Sequence, residues 1–195
     1  MTMPTIDELL EQGAPPVIAI LRGVRPDEVV AIGRALVAAG VRLLAEALGH
    51  EALIGAGTVL SPEAVGAVAD IGGSLIVTPN TDPEVIARAV ALRLDIMPGF
   101  ATPSEAFAAI RAGARHLKLF PAATLGTGYL KAVREVLPAT ARVWAVGGTD
   151  SGAMGEWLRS GAMGIGIGSA LYRPGDRAED VAHRVRILME AWQTL

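Results

Sequence analysis

The sequence predicts a (β/α)8 barrel, in which eight parallel strands close into a ring surrounded by helices. Eight short apolar segments alternate with amphipathic helical patterns, and several are continuously apolar, as expected for parallel strands buried on both faces. An open doubly wound sheet is the alternative. The strand count and the lack of a G-x-G-x-x-G turn after the first strand favour the barrel. The candidate strands are residues 17–21, 41–44, 53–59, 74–78, 95–97, 116–120, 143–146 and 164–168.

Capping residues mark the predicted helices. The first capping box predicts an N-terminal helix in front of the barrel, and proline follows two of the predicted N-caps, at the first helical position. The segments that fit the capping box are Thr5-x-x-Glu8, Thr81-x-x-Glu84 and Thr102-x-x-Glu105, and the prolines are Pro62 and Pro103. Glycines that follow helical stretches indicate helix ends. These glycines are Gly40, Gly72, Gly113 and Gly161.

The second strand–helix unit is too short to be complete. Only residues 45–52 separate the second candidate strand from the third, whereas a parallel crossover needs about a dozen residues or more. The segment 45–49 is similar to the last turns of a helix with its glycine stop. We therefore interpret the second unit as incomplete in this sequence, with a segment omitted rather than lost from the protein.

Length and composition set the limits on function. The 195 residues predict a single barrel domain over 1–195. A net charge of -3 gives no electrostatic reason to expect nucleic acid or an anionic membrane as a partner. There is no cysteine, and His50, His116 and His183 form no metal-ligand pattern, so no metal site is predicted. The chain shows no signal peptide and no apolar run long enough to span a membrane, so a cytoplasmic location is expected.

One of the only two lysines stands in an unusual place. Lys118 lies inside a short apolar segment that ends at Pro121, and this pattern predicts a buried strand. Burial lowers the pKa of a lysine, and a neutral amine can attack a carbonyl carbon. The alternative is a lysine that is paired with an acid or extends its amine to solvent. Lys131 lies on the polar side of an amphipathic helical pattern and is predicted to be solvated.

Other candidate residues stand where predicted strands end, which is where barrel active sites form. Arg22 follows the first strand and could hold a carboxylate, or it could pair with a surface acid at the barrel rim. Thr58 follows a strand whose glycines indicate either close approach by a ligand or relief of crowding inside the barrel. Glycines after the last two strands, each expected to precede a helix start, indicate an anion site. These candidate anion-site residues are Gly147, Gly148, Gly168 and Ser169.

Several motifs resemble the 2-keto-3-deoxy-6-phosphogluconate (KDPG) aldolase family, and the resemblance covers most of the chain. The segment around Lys118 resembles the family's Schiff-base strand. The branch that acts on 2-dehydro-3-deoxy-6-phosphogalactonate (KDPGal) is the most similar, since Leu21-Arg22-Gly23 resembles it and Val146 stands where the gluconate branch tends to have threonine. The motifs are Ile18-Ala19-Ile20-Leu21-Arg22-Gly23, Ile54-Gly55-Ala56-Gly57-Thr58-Val59-Leu60, Ile76-Val77-Thr78-Pro79-Asn80, Pro98-Gly99, Arg115-His116-Leu117-Lys118-Leu119-Phe120-Pro121 and Ala145-Val146-Gly147-Gly148.

The resemblance implies a class I aldolase that forms an imine on Lys118 and needs neither metal nor cofactor. Its substrate would be a phosphorylated keto-deoxy sugar acid, cleaved to pyruvate and glyceraldehyde 3-phosphate, and the protein would be a homotrimer. Arg22 and Thr58 match positions that hold the pyruvyl end, and the candidate anion-site residues match phosphate-binding loops. The family's general acid/base is a glutamate, and its position falls on Ala45 here. Glu46 is one residue late and receives no role.

Two other functions stay open on the sequence. A sugar-phosphate isomerase or epimerase on the same barrel would share the phosphate loops, but it needs an acid/base pair or metal ligands at the strand ends, and the sequence shows none there. A non-catalytic phosphosugar-binding paralogue would keep the phosphate site without turnover, and only the short second unit supports it. The sequence leaves the preferred epimer undecided.

Overall fold

A computed structural model describes residues 4–25, 27–38, 43–45 and 52–195, and for 43–45 only the backbone. After an N-terminal helix, strands and helices alternate along the described chain, except at two places where one strand follows another directly. The helices are α1 (Ile6–Glu11), α2 (Val29–Ala38), α3 (Pro62–Asp70), α4 (Pro83–Ala91), α5 (Pro103–Arg111), α6 (Ala122–Arg134), α7 (Met154–Arg159) and α8 (Ala178–Gln193). The strands are β1 (Val17–Ile20), β2 (Leu43–Ala45), β3 (Leu53–Gly57), β4 (Leu75–Val77), β5 (Asp95–Met97), β6 (Gly99–Phe100), β7 (His116–Leu119), β8 (Arg142–Val146) and β9 (Gly164–Ile167).

The strands form a closed parallel ring, which confirms the predicted (β/α)8 barrel. Their order is β5-β4-β3-β2-β1-β9-β8-β7-β6. The strands at the two ends of this order, β5 and β6, follow each other in the chain and are separated only by Pro98, so they are two halves of one barrel strand. The break was not predicted. Proline has no N–H to donate to a neighbouring strand, but the Pro98 carbonyl still accepts a hydrogen bond from the Lys118 N–H at 2.8 Å.

In the strands whose side chains are described, alternate residues face two separate apolar layers. Ile18 and Trp144 belong to a cluster inside the barrel, which α1 closes at the bottom with Ile6. Leu117 and its equivalents on other strands pack outward against the helices. Because side chains alternate between the faces of a strand, His116 and Lys118 point inward. The alternation therefore places the lysine inside the ring.

Most of the predicted capping residues and glycine stops are confirmed. Thr5 and Thr102 form capping boxes with Glu8 and Glu105. The capping box predicted at Thr81 is wrong, because Asp82 is the N-cap of α4 and its carboxylate accepts hydrogen bonds from the first-turn amides. Thr81 instead donates its hydroxyl to the Gly99 carbonyl at 2.8 Å. Gly72, Gly113 and Gly161 follow helices with positive φ, as predicted, while Gly40 lies outside the described residues. No helix in the described ranges is both long and apolar enough to cross a membrane.

The second strand–helix unit is short in this sequence, as predicted. The sequence shown has the short connection that we interpret as incomplete, and the omission of a segment stays a prediction. β2 pairs in parallel with β3, and the described chain has no helix between them. Residues 46–51 of the connection lie outside the described residues. The single-domain boundary 1–195 stays a prediction.

Candidate active site

A cavity of about 750 Å³ opens at the carboxyl ends of the strands, where barrel enzymes carry their active sites. It brings together all seven residues that the sequence predicts for the site: Lys118, Arg22, Thr58, Gly147, Gly148, Gly168 and Ser169. A second cavity, of about 1000 Å³, lies toward the other end of the barrel, and its described wall has arginines but no lysine. The first cavity is therefore the candidate active site.

Lys118 lies on the inner face of β7 at the wall of this cavity. Its side chain is only 8% exposed, and Nζ lies 4.4 Å from the centroid of the Phe120 ring. Burial, and secondly the positive charge of Arg22, lower the pKa of the amine from 10.5 to about 8. No ion pair to Lys118 exists among the described residues. The paired or solvent-extended alternative therefore does not describe this lysine.

The lowered pKa makes Lys118 a usable nucleophile near neutral pH. At pH 7 roughly a tenth of such amines are uncharged, against about one in three thousand for an unperturbed lysine. Lys131 contrasts with it, because it lies on the exposed face of α6, as predicted. The two lysines differ in burial, because one amine lies inside the barrel and the other on the surface.

Arg22 follows β1 at the rim of the cavity. Its side chain is solvent-exposed, and it makes no ion pair within the described residues, so the predicted alternative of a surface acid has no support there. Its charge is close enough to lower the pKa of Lys118. A guanidinium beside a reactive amine can hold the carboxylate of a keto acid while the amine attacks the neighbouring carbonyl carbon.

The two glycines of β3 have different surroundings. A side chain at Gly55 would overlap the backbone of Leu75, so this glycine relieves crowding inside the barrel. A side chain at Gly57 would meet no atom within 4 Å, because Gly57 lies at the open cavity wall. Thr58 follows with φ of 59°, a left-handed conformation that is rare for a β-branched residue. Strain of this kind is typical of ligand sites.

Replacing Thr58 by glycine is expected to raise the free energy of unfolding by about 0.5–1 kcal/mol. The left-handed conformation costs an L-residue about 1–2 kcal/mol, and the greater freedom of glycine in the unfolded chain offsets part of the gain. Urea unfolding measures the change. Arg93, with φ of 58° outside the cavity, is the matched control, and Arg93→Gly should stabilise by a similar amount. A destabilised Thr58→Gly variant would show that the threonine side chain itself holds the loop.

The loops after β8 and β9 form the opposite wall of the cavity. Gly147 and Gly148 have φ of 96° and 76°, and a Cβ at Gly148 would lie 2.5 Å from Ala123 Cβ, so only glycine fits this turn. The Thr149 hydroxyl donates to the Gly166 carbonyl at 2.6 Å and ties the two strands together. The loops thus bring backbone amides to the cavity wall, as an anion site requires.

The helix starts predicted directly after these loops are wrong. After β8 the chain turns through residues 147–153 before the six-residue helix α7. After β9, α8 begins only at Ala178, because a tight turn and a segment rich in proline, glycine and charge come first. Backbone amides and side chains of the loops, and not a helix dipole, therefore have to provide any anion binding here.

The structure adds cavity residues that the sequence did not single out. These are chiefly Phe120, Asp150, Tyr172 and Arg173. Lys118 Nζ lies over the ring of Phe120, and Tyr172 is a buried residue of the loop after β9. Their part in the cavity depends on how loops fold back, which leaves no periodic signal in the sequence.

His116, two residues before Lys118, lies deeper in the barrel and away from the cavity. Its Nδ1 accepts a hydrogen bond from Trp144 Nε1 at 3.0 Å, and Nε2 lies 3.2 Å from Asp7 Oδ1 on α1. Burial lowers the pKa of this histidine from 6.5 to about 4, against the opposing effect of Asp7. The ring is therefore neutral near pH 7 and joins α1 to the bottom of the barrel.

The fold and the cavity together define a barrel protein with a reactive amine at the carboxyl ends of its strands. The sequence model of the family described as KDPG and KHG aldolase matches residues 6–187. The 2-dehydro-3-deoxy-6-phosphogalactonate aldolase of Escherichia coli (strain K12) is 43% identical over 194 residues, with 91% of this chain and 95% of the relative covered. The chain belongs to the KDPG and KHG aldolase family.

Solved structures agree with this assignment. One described as native KDPGal has 42% identity and a TM-score of 0.89, with 92% of this chain and 95% of that chain covered. The KDPG aldolase from Legionella pneumophila, with pyruvate captured as a covalent carbinolamine, has 26% identity and a TM-score of 0.75, with 93% and 94% covered. The alignment with the E. coli aldolase has 194 positions, but it contains only 91% of the residues of this chain. The remaining positions are gaps in this chain, so this chain is the shorter of the two within the aligned region.

Proposed function

We propose that the protein is a class I aldolase that cleaves 2-dehydro-3-deoxy-6-phosphogalactonate, or its gluconate epimer, to pyruvate and D-glyceraldehyde 3-phosphate. One observation carries the proposal: the buried Lys118 amine, with a pKa of about 8, faces a cavity at the catalytic end of the barrel. The 43%-identical E. coli relative, named as an aldolase of this substrate, supports it. So does the covalent pyruvate adduct of the Legionella relative.

The proposed reaction begins when the neutral Lys118 amine attacks the C2 ketone. Loss of water gives a protonated imine, which withdraws electrons from C3. A base then removes the proton of the C4 hydroxyl, the C3–C4 bond breaks, and its electron pair forms an enamine as glyceraldehyde 3-phosphate leaves. Protonation of the enamine at C3 and addition of water release pyruvate and restore the amine. One water leaves and one returns, so the cycle balances.

The other predicted residues have supporting roles in this proposal. Arg22 holds the substrate carboxylate, and Thr58 shapes the same end of the cavity. The loops after β8 and β9 hold the phosphate through Gly147, Gly148, Gly168 and Ser169, which line the cavity wall away from β3.

Borohydride trapping tests the proposal directly. Reduction of the imine in the presence of pyruvate should add the reduced pyruvyl mass to one peptide, and that peptide should contain Lys118. Lys131, exposed on α6, provides the internal control, since it should stay unmodified. No adduct, or an adduct on Lys131 alone, would refute the Schiff-base mechanism.

The trapping rate should rise with pH and reach a plateau above about pH 8. The neutral amine is the attacking form, and burial and Arg22 lower the pKa of Lys118 to about 8. Initial rates at fixed pyruvate from pH 6 to 10 measure the midpoint. Arg22→Gln removes a positive charge and should move this midpoint upward. A midpoint near 10.5 in the unchanged protein would mean that Lys118 is not the nucleophile.

Val146 supports the galactonate epimer as the preferred substrate. It is the last residue of β8, it is 4% exposed, and it lines the cavity. Comparing kcat/KM for the two epimers, with Val146→Thr as the variant, tests this preference. A ratio that is unchanged in the variant would assign the choice of epimer to other residues.

We further propose a homotrimer that works in the cytoplasm. Exposed apolar side chains on separate elements, among them Leu60, Ile71 and Val136, provide surface that association could cover. A 42%-identical chain with a TM-score of 0.90 is part of a cage designed by fusing symmetric oligomeric domains. Native mass spectrometry would measure the subunit number, and fractionation of cells the location.

The alternative functions have weaker support. An isomerase or epimerase needs two groups that exchange protons with the substrate, and Asp150 is the only carboxylate among the described cavity residues. A phosphosugar-binding paralogue would need no reactive amine, yet burial lowers the pKa of Lys118. A borohydride-trapped pyruvate adduct at Lys118 in a protein that does not cleave the substrate would favour the phosphosugar-binding paralogue.

A further inference from the structure

The proposed substrate, on which this inference rests, carries an anionic group at each end, a carboxylate beside the reacting ketone and a phosphate at the far end. The charged side chains among the described cavity residues are Arg22, Lys118, Asp150 and Arg173. Lys118 must lose its charge to react, which leaves two arginines as lasting cations. Two anionic groups thus face two guanidinium groups.

Neither of these arginines forms an ion pair within the described ranges, and Asp176, the carboxylate on which the charge of Arg173 acts, is paired with Arg184. Arg25, Arg177 and Arg184 all form ion pairs with carboxylates that are near them in the sequence. Arg22 and Arg173 form none there. A guanidinium that lines a cavity and has no ion-pair partner is available to bind an anion.

The loop after β9 holds Arg173 beside the candidate phosphate site. The amides of Leu171 and Tyr172 both donate to the Gly168 carbonyl, at 2.8 and 3.0 Å, and this turn reverses the chain. The Arg173 amide then donates to Asp176 at 2.9 Å, and its Nε donates to the Ser169 carbonyl at 3.2 Å. One edge of the guanidinium is therefore fixed on Ser169, and its Nη groups have no acceptor among the described residues.

The two arginines differ in their relation to Lys118, although the loops that carry them follow adjacent strands and are in contact. The charge of Arg22 acts on Lys118, which places Arg22 at the end where the ketone reacts. Arg173 is instead fixed to Ser169 on the loop after β9. Arg22 therefore suits the carboxylate next to the ketone, and Arg173 suits the distant phosphate.

We propose that Arg173 binds the substrate phosphate and makes the enzyme selective for phosphorylated sugar acids. The glycine loops offer only neutral amides, and Asp150 adds a negative charge to the same wall, although its Oδ1 accepts a hydrogen bond from the Ala153 amide at 2.9 Å. Arg173 offsets this charge and provides paired N–H donors, the geometry that suits phosphate oxygens.

Substrate comparison in matched variants tests the proposal. Arg173→Gln should lower kcat/KM for the phosphorylated sugar acid by roughly 10- to 100-fold, the usual effect of losing a charged hydrogen bond. The unphosphorylated sugar acid should change by less than about 2-fold, and Arg173→Lys should keep part of the selectivity because it keeps the charge. Arg177→Gln, which breaks an ion pair with Asp180 outside the cavity, should affect neither substrate. Equal losses on both substrates, or no loss on either, would overturn the proposal.

A binding measurement separates this proposal from the proposed function. Calorimetry with inorganic phosphate needs no turnover, and Arg173→Gln should weaken binding by about 10-fold or more while Arg177→Gln leaves it unchanged. Equal phosphate binding by all three proteins would refute the role of Arg173 even in an active aldolase. If Arg173→Gln alone weakens phosphate binding, and pyruvate with borohydride leaves the protein unmodified, the phosphate role of Arg173 stands and the aldolase function is refuted.

Discussion

Replacing Lys118 by arginine is expected to abolish the trapped pyruvate adduct and to lower aldol cleavage by about 10⁴-fold or more. The covalent route needs a neutral amine, and a guanidinium stays protonated at every accessible pH. The variant retains the positive charge beside Arg22, so a large loss isolates nucleophilicity from electrostatics. Mass spectrometry after borohydride treatment and steady-state cleavage of the phosphorylated substrate measure the two effects.

Two further variants make this result interpretable. Lys131→Arg changes an exposed amine on α6 and should leave adduct and turnover unchanged. Lys118→Met removes the amine without placing a guanidinium in the barrel, and it should be as inactive as the arginine variant while folding well. Cleavage by Lys118→Met at the rate of the unchanged protein would exclude Schiff-base chemistry at this residue.

Lys118→Met should also change the pH dependence of stability. The folded protein depresses the pKa of Lys118 from 10.5 to about 8, so between these values the unfolded chain binds more protons than the folded one. The contribution of this residue to the free energy of unfolding therefore rises with pH from about 8 to about 10.5. The methionine variant should lack this rise, and urea unfolding at several pH values would show the difference.

The sequence predicts the barrel because burial on both faces leaves a strong local pattern. Continuous apolar strands, capping residues and glycine stops each depend on a few neighbouring residues, and most of these predictions are confirmed. Lys118 is predicted to be the reactive lysine from a local pattern too, because a charged side chain is unusual inside an apolar strand. The strand ends then place Arg22 and Thr58 at the cavity without further information, since the carboxyl ends of parallel strands meet at one end of a barrel.

The features that the sequence misses depend on contacts between distant segments. Pro98 splits a barrel strand, but only pairing with β4 on one side and β7 on the other shows that the halves continue one another. Arg173 stands in a segment with no periodicity, and its position beside Ser169 follows from the turn at Gly168. Asp82 and Thr81 are both good helix caps, and the Gly99 carbonyl on β6 decides between them by accepting the threonine hydroxyl.

Replacing Ala45 by glutamate is expected to raise the rate of proton transfer by about 10²–10⁴-fold, the usual contribution of a placed general acid/base. The resemblance places the family's glutamate at this position. Ala45 ends β2 and is paired in register with Ile20, whose side chain lines the cavity with Lys118. Within the described cavity wall the only carboxylate is Asp150, and its Oδ1 accepts a hydrogen bond from the Ala153 amide.

Exchange of the pyruvate methyl protons with deuterium measures this step without the full reaction, because the enamine forms and is protonated again on the enzyme. Ala45→Gln is the matched control, since it has nearly the size of glutamate but cannot accept a proton at this pH. Faster deuterium exchange in Ala45→Glu but not in Ala45→Gln, together with a new decrease of the exchange rate at low pH, would support a missing base. It would show that the short second unit lowers turnover by removing that base. Equal exchange in both variants and the unchanged protein would show that another group, such as one within residues 46–51, transfers the proton.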